Sequence, residues 1–178
     1  MYLKEKTIEK RVIYKGRILN LRTDTVELPN GKTAYREMIE HSGGAGIIAI
    51  NDKNEIYLIK QYRYPYDEVL YEIPAGKISP GEEPEKCAER ELTEETGLIA
   101  GKMTLLNTVY PSPGYTDEKL YIYYAENLSK GAANPDEDEF LEIISVPFEQ
   151  ALDMVNKGII KDCKTVIAIY RLACFPPS

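Results

Sequence analysis

The sequence is poor in the residues that build soft-metal and disulfide sites. Among 178 residues there are three cysteines, Cys87, Cys163 and Cys174, and one histidine, His41. The cysteine number is odd, the spacings are wide and there is no CxxC pair, so neither a structural zinc site nor a disulfide scaffold is expected. A reducing, cytoplasmic setting is the reading that follows. Each cysteine is then expected to serve as a small apolar side chain in or near the core. Long apolar runs are missing too. No stretch approaches 18 uncharged apolar residues, which argues against a membrane span, and the opening MYLKEKTIEKR turns charged too early for a secretory signal. Positive charge is in deficit, with 22 Lys+Arg against 29 Asp+Glu and a net charge of -7. That balance argues against a nucleic-acid or anionic-membrane partner. It leaves room for an anionic small molecule if a cation mediates. No internal repeat is visible.

The length suits one domain, or one domain with a small appendage. Residues 7–14, 18–27 and 35–41 read as short strands, and Pro29-Asn30-Gly31-Lys32 is a turn signal between the second and third. Residues 1–42 are therefore expected to form a small antiparallel sheet. Three short strands alone are hardly stable, so this sheet should pack on the rest of the chain or on a second copy. Fourteen tyrosines, a residue enriched at interfaces, point the same way, toward a homodimer.

Residues 43–178 read as the main domain. Strands are expected at 46–50, 55–63, 69–73, 105–110, 120–125 and 140–146, with residues 127–138 polar and turn-rich. Helices are expected at 84–96, from 147 to about 156, and at 162–174. Pro84 suits a first helical turn and Gly97 a C-cap. The last helix is expected to carry Val166, Ile169, Tyr170 and Ala173 on one side. Strands with few helices, in an order unlike repeated βαβ units, give a mixed α/β class.

The chemistry is concentrated in residues 72–98, EIPAGKISPGEEPEKCAERELTEETGL. Seven glutamates lie between Gly81 and Gly97. Glu91 and Glu95 share one helix face, as do Arg90 and Glu94. Like charges at that spacing cost a few tenths of a kcal/mol, roughly, in an isolated helix. Two carboxylates beside Ala88 and Leu92 are easier to explain with a divalent cation between them. Hard oxygen ligands without sulfur or imidazole suit magnesium or manganese.

Counting from Gly76, five residues precede Glu82, seven more precede Arg90-Glu91-Leu92, and Thr93, Glu94-Glu95, Thr96 and Gly97-Leu98 follow. These nine positions match the Nudix box, and the sequence is identified on them as resembling the Nudix hydrolases. The resemblance implies a mixed-sheet α/β/α sandwich and hydrolysis of a nucleoside diphosphate linked to another moiety, with Mg2+ or Mn2+. It implies Glu91 and Glu95 as principal metal ligands, Glu94 as a third, and the Ala75 carbonyl as a further one. Glu82 would support the loop or reach metal through water, and Arg90 would orient the box carboxylates.

Outside the box, Ser112-Pro113-Gly114 lies where the ADP-ribose pyrophosphatase subgroup carries a proline, 16 residues past Gly97. The N-terminal sheet resembles the element that subgroup exchanges between subunits. Arg36-Glu37 and Gln61-Tyr62-Arg63 resemble groups placed near the substrate. Arg63 is the best candidate for a phosphate contact, because guanidinium matches phosphate oxygens in pairs. Arg36 and Glu37 are candidates for the nucleoside or terminal ribose, and Tyr35 and Tyr62 for stacking on adenine. Pro113 and Gly114 would shape the substrate loop. The resemblance puts the catalytic base on an acidic loop before the last domain strand, where Glu137 and Glu139 are the candidates, with Glu118 or a box glutamate as fallbacks. His41 suits a structural hydrogen bond better than catalysis. The expected reaction is hydrolysis of ADP-ribose to AMP and ribose 5-phosphate. Other nucleoside diphosphate sugars, dinucleotides of the NADH or FAD kind, and a non-catalytic ligand sensor are the alternatives.

Overall fold

The computed structural model describes residues 3–134 and 140–176. These form two compact units, one of residues 1–43 with Tyr110–Lys119, the other of Gly44–Val109 with Leu120–Ser178. The first unit is built on an antiparallel sheet of β1 (Lys6–Lys15), β2 (Leu19–Glu27) and β3 (Thr33–His41), in that order. Its tight turn is at Gly31, with φ of 79°, where Leu28 N–H donates to the Lys32 carbonyl at 2.8 Å. Little of the sheet is buried, Asp24 and Val26 being its most enclosed side chains. Asp24 accepts from Arg22 Nε at 3.1 and 3.2 Å, which offsets the cost of enclosing a carboxylate. Residues 110–119 join this unit through backbone hydrogen bonds, Ile39 N–H to Tyr115 O at 2.7 Å and Asp117 N–H to Ile39 O at 3.2 Å. Sequence reading had no basis for that assignment, because it depends on a contact between distant segments.

The second unit comprises β4 (Gly44–Ala49), β5 (Glu55–Arg63), β6 (Glu68–Glu72), β7 (Ala75–Lys77), α1 (Pro84–Thr96), β8 (Leu98–Ile99), β9 (Lys102–Val109), β10 (Leu120–Glu126), β11 (Ser129–Lys130), β12 (Leu141–Pro147), α2 (Phe148–Asn156) and α3 (Cys163–Cys174). One sheet runs β7-β4-β10-β9, with β4 and β10 parallel and the other pairs antiparallel. A second, β12-β5-β6, is antiparallel throughout, and β8 pairs with β11, which lies in the segment expected to be turn-rich.

The period-two alternation of the central strands makes a sandwich. From β4, Ala45, Ile47 and Ala49 face one cluster with Tyr123 and Ala125 of β10 and with Cys87, Ala88 and Leu92 of α1. Ile48 and Ile122 face the opposite cluster, with Ile56, Leu58 and Ile73 and with Phe148, Ala151, Met154, Ala168, Ile169 and Leu172 of α2 and α3. Each fully buried isoleucine contributes about 1.5–3 kcal/mol of transfer free energy, so the two clusters are the main support of this mixed α/β unit.

Two expectations are corrected. The buried face of α3 is Lys164, Thr165, Ala168, Ile169 and Leu172, whereas Tyr170 lies at the surface and donates to Asn156 Oδ1 at 2.9 Å. Of the four residues expected on one side, Ile169 is buried and Val166 packs against the core, but Tyr170 and Ala173 are exposed, because two polar residues of the buried face are held by partners. Of the cysteines only Cys87 is buried, while Cys163 and Cys174 are exposed at the two ends of α3.

Candidate active site

Helix α1 begins where Pro84 fills its first turn and ends at Gly97, whose φ is 69° and whose N–H donates to Thr93 O at 2.8 Å. The left-handed φ favours glycine there. Its buried stripe is Cys87, Ala88, Glu91, Leu92 and Glu95. Two carboxylates thus lie on an apolar face, Glu91 at 7% exposure and Glu95 at 2%. Such burial is costly unless the oxygens are satisfied. Glu95 accepts the Ala75 N–H at 2.9 Å. Glu91 accepts from Arg90 Nη1 at 2.7 Å and lies against Gly76, where an added Cβ would fall inside the carboxylate. Gly76 is therefore required by close approach and not by a turn.

Arg90 is the hub of the remaining acids. Its Nε donates to Glu82 Oε1 at 2.9 Å, its Nη1 to Glu94 at 2.8 Å, and its Nη2 to Glu82 Oε2 at 3.2 Å. Those bonds raise the arginine pKa above its ordinary value. The same arginine, helped by the Ser79 N–H, holds the Glu82 carboxyl down at about 2. Burial, with the neighbouring acids, pushes the Cys87 thiol up to about 12, which makes it an inert packing group.

Among the described residues no three His, Cys, Asp or Glu side chains converge closely enough to hold a metal ion. In this geometry the Arg90 guanidinium lies among Glu82, Glu91 and Glu94. The donor types still suit a hard divalent cation, since every candidate ligand is an oxygen and Gly76 leaves the Glu91 carboxylate room against the main chain.

A second polar cluster stands in the same unit. Arg63 ends β5 and grips Glu72 at the end of β6 in a two-point fork, Nε to Oε1 at 2.6 Å and Nη2 to Oε2 at 2.7 Å. Lys164 of α3 also donates to Glu72 and reaches Asp162 Oδ1 at 3.0 Å. Asp162 caps α3, accepting Thr165 N–H at 3.0 Å and the Thr165 hydroxyl at 2.6 Å, and that hydroxyl accepts Ile73 N–H at 2.8 Å. Burial pushes the Glu72 carboxyl upward, but hydrogen bonds from Arg63 and the charge of Lys164 win and hold it at about 2. Sequence reading singled out Arg63 and passed over Glu72, Lys164, Asp162 and Thr165. The available signal was an acid ending an apolar strand two residues before a proline.

Tyr62, on β5 of this same unit, is half-exposed and donates its hydroxyl to Asp67 Oδ1 at 2.7 Å, and the remaining expected substrate residues belong to the first unit. Tyr35 is fully open, and Arg36 bonds Glu5 through Nε at 3.0 Å, which raises the arginine pKa. Glu37 sits opposite Thr23 in the β2–β3 register. Gly114 has open space about it, and Pro113 precedes it on the 110–119 loop. A cleft of about 680 Å³ in this unit is lined by residues that include Glu5, Lys6, Leu28 and Pro29, and by none of the expected substrate residues. His41 makes the structural bond expected of it, its Nδ1 accepting Gly43 N–H at 3.0 Å, and Glu118 lies 3.6 Å from that nitrogen. Glu137 and Glu139 lie outside the described residues.

Residues 40–163 match the NUDIX domain family, and residues 5–39 match the family described as nucleoside diphosphate sugar hydrolase N-terminal domain. The chain is a member of the Nudix family. This Nudix chain is 44% identical over 172 residues to the ADP-ribose pyrophosphatase of Bacillus subtilis, covering 96% of this chain and 93% of that one. It is 45% identical over 170 residues to the methanol dehydrogenase activator of Bacillus methanolicus, covering 94% and 92%. It is 35% identical over 147 residues to the GDP-mannose pyrophosphatase of an Enterobacter species, covering 77% and 76%. A crystal structure of an ADP compounds hydrolase has the same fold, with a TM-score of 0.85, 23% identity and coverage of 97% and 95%. The α/β/α sandwich is therefore the Nudix one, and the chain is a Nudix hydrolase of phosphoanhydride bonds in nucleoside diphosphate compounds.

Proposed function

We propose that this Nudix protein hydrolyses ADP-ribose to AMP and ribose 5-phosphate. The reading is carried by one observation, the 44% identity to an ADP-ribose pyrophosphatase that extends over 96% of the chain. Glu91 and Glu95, with Glu94, Glu82 and the Ala75 carbonyl, would hold Mg2+, or Mn2+ in its place. Bound there, the cation supplies positive charge against the pyrophosphate oxygens and lowers the pKa of the attacking water. Arg90 keeps Glu82, Glu91 and Glu94 in fixed rotamers, so the acids need little reorganisation. Arg63 donates to a phosphate oxygen. Glu137 or Glu139 accepts the proton from water as its oxygen bonds to phosphorus and the bridging P–O bond breaks. Arg36, Glu37 and Tyr35 take part in holding the nucleoside or ribose, and Pro113 and Gly114 shape the loop beside it.

We further propose a cytoplasmic homodimer. Free cysteines support the location, and the exposed apolar side chains of β1 support the dimer. No helix of the described residues is long and apolar enough to cross a membrane.

A second reading, a pyrophosphatase of another nucleoside diphosphate sugar, is favoured by the 33–35% identity to GDP-mannose pyrophosphatases. Steady-state kinetics with ADP-ribose, GDP-mannose and NADH at saturating Mg2+, with products resolved by chromatography, decide between the two. ADP-ribose is expected to give the highest kcat/KM and AMP as product. A higher kcat/KM for GDP-mannose would replace the proposal with the second reading.

A further inference from the structure

The guanidinium of Arg63 carries five N–H groups, and the fork to Glu72 uses one edge of it, Nε and one hydrogen of Nη2. Among the described residues Nη1 has no hydrogen-bond partner, and the side chain is 38% exposed whereas Glu72 is 1% exposed. One edge of the arginine is thus anchored inside the unit and the other is available to a ligand. The anchor is itself fixed. Lys164 donates to Glu72 Oε2, the oxygen that Arg63 Nη2 also bonds, Asp162 holds Lys164 at 3.0 Å, and the Thr165 hydroxyl links Asp162 to Ile73 N–H, the residue after Glu72. These contacts close a ring between the end of β6 and the start of α3.

The ring has two consequences. First, Lys164 is matched by Asp162 as well as by Glu72, so the carboxylate that grips Arg63 is fixed in place without an unpaired charge beside it. Second, residues 73–75 are held at both ends, Ile73 N–H by Thr165 and Ala75 N–H by Glu95 Oε2 at 2.9 Å. The hydrogen bond from Glu72 chiefly raises the Arg63 pKa, and the charge of Glu95 adds to it at longer range. The ring therefore sets where the arginine donors stand relative to the acidic face of α1.

We infer that Lys164, Glu72 and Thr165 are positioning residues, which hold Arg63 with its outer N–H edge ready for an anionic oxygen of the substrate pyrophosphate. This rests on the reading of Arg63 as a phosphate-binding group. Because the donors are fixed before substrate arrives, the ring contributes to binding in the ground and transition states alike, and its loss falls on KM more than on kcat.

The test is steady-state kinetics of the full chain with Mg2+, using whichever of ADP-ribose and GDP-mannose the wild type cleaves faster. A wrong substrate assignment then shows in the wild type alone and does not touch the outcome for the ring. Lys164→Met is expected to raise KM about tenfold with kcat within threefold, because Glu72 then loses one anchor and Arg63 is held less firmly. Lys164→Arg is expected to restore KM to within threefold of wild type. In an Arg63→Ala background, Lys164→Met is expected to add less than twofold. Thr165→Val, which changes no charge, should give the same signature in weaker form, and it decides the matter if Lys164→Met does not fold. Wild-type KM in folded Lys164→Met or Thr165→Val would overturn the inference. So would a KM effect of full size in the Arg63→Ala background, which would show that Lys164 acts through something else.

Discussion

Glu95 is the residue with least freedom in the candidate site. It is nearly inaccessible, it lies on the apolar stripe of α1, and it accepts a main-chain N–H from Ala75. Glu95→Gln keeps that hydrogen bond and the shape while removing the charge. It is expected to lower kcat on the order of a hundredfold or more at saturating Mg2+, with the unfolding midpoint little changed, and stopped-time assays beside thermal melts check both. Gly76→Ala should behave differently, since the new methyl competes with the Glu91 carboxylate for one position. Overpacking of this kind costs about 1–3 kcal/mol, so this variant is expected to lose both activity and stability. Glu91, Glu94 and Glu95 could be placed together from spacing, because they lie on one helix, whereas the roles of Gly76 and Glu82 rested on resemblance to the Nudix box. Glu72, Lys164 and Thr165 could not be placed together, because their pairing spans more than 90 residues of sequence and is visible only once β6 and α3 are in place.

Among the helices, α1 was the most legible and α3 the least. The limits of α1 are marked by chemistry that acts locally, a proline at one end and a left-handed glycine at the other. Gly97→Ala is expected to cost about 1 kcal/mol, since an L side chain must adopt φ near 69°, and urea unfolding would measure it. The limits of α3 could be read as well, but not its buried face. Periodicity ranks apolar residues, whereas this helix buries Lys164 and Thr165 because Glu72, Asp162 and Ile73 receive them. The short strands β8 and β11 were missed for a related reason: two residues each, they are defined by their pairing and carry no pattern of their own. Asp162 begins α3 and also holds Lys164, so Asp162→Ala should exceed the cost of losing a helix cap alone, about 1 kcal/mol. A denaturation midpoint shifted by the cap alone would show that the contact with Lys164 is energetically idle.

For the molecule as a whole, the net charge of -7 is the property most changed by position. Much of the acidity near the candidate site is already matched by arginine or lysine, and the matched groups tie stability to pH. The Glu72 carboxyl stands at about 2 in the folded chain, below its ordinary value of 4.5. The unfolded chain therefore takes up this proton first as the solution is acidified. The stabilisation is complete above about pH 4.5, declines between there and pH 2, and is gone below. A shift of this size at an enclosed group corresponds to about 3 kcal/mol. Glu72→Gln removes the titrating group and leaves Arg63 and Lys164 without their shared anion, so it is expected to be less stable than the wild type at pH 7 by a comparable amount. The gap between the two proteins should then narrow as pH falls from 5 to 2.5, because the wild type loses what the variant never had. Urea unfolding at pH 7, 4 and 2.5 measures that gap. A gap that stays constant across the series would mean that Glu72 keeps its proton equilibrium on unfolding, and that its ion pairs with Arg63 and Lys164 contribute nothing to the stability of the fold.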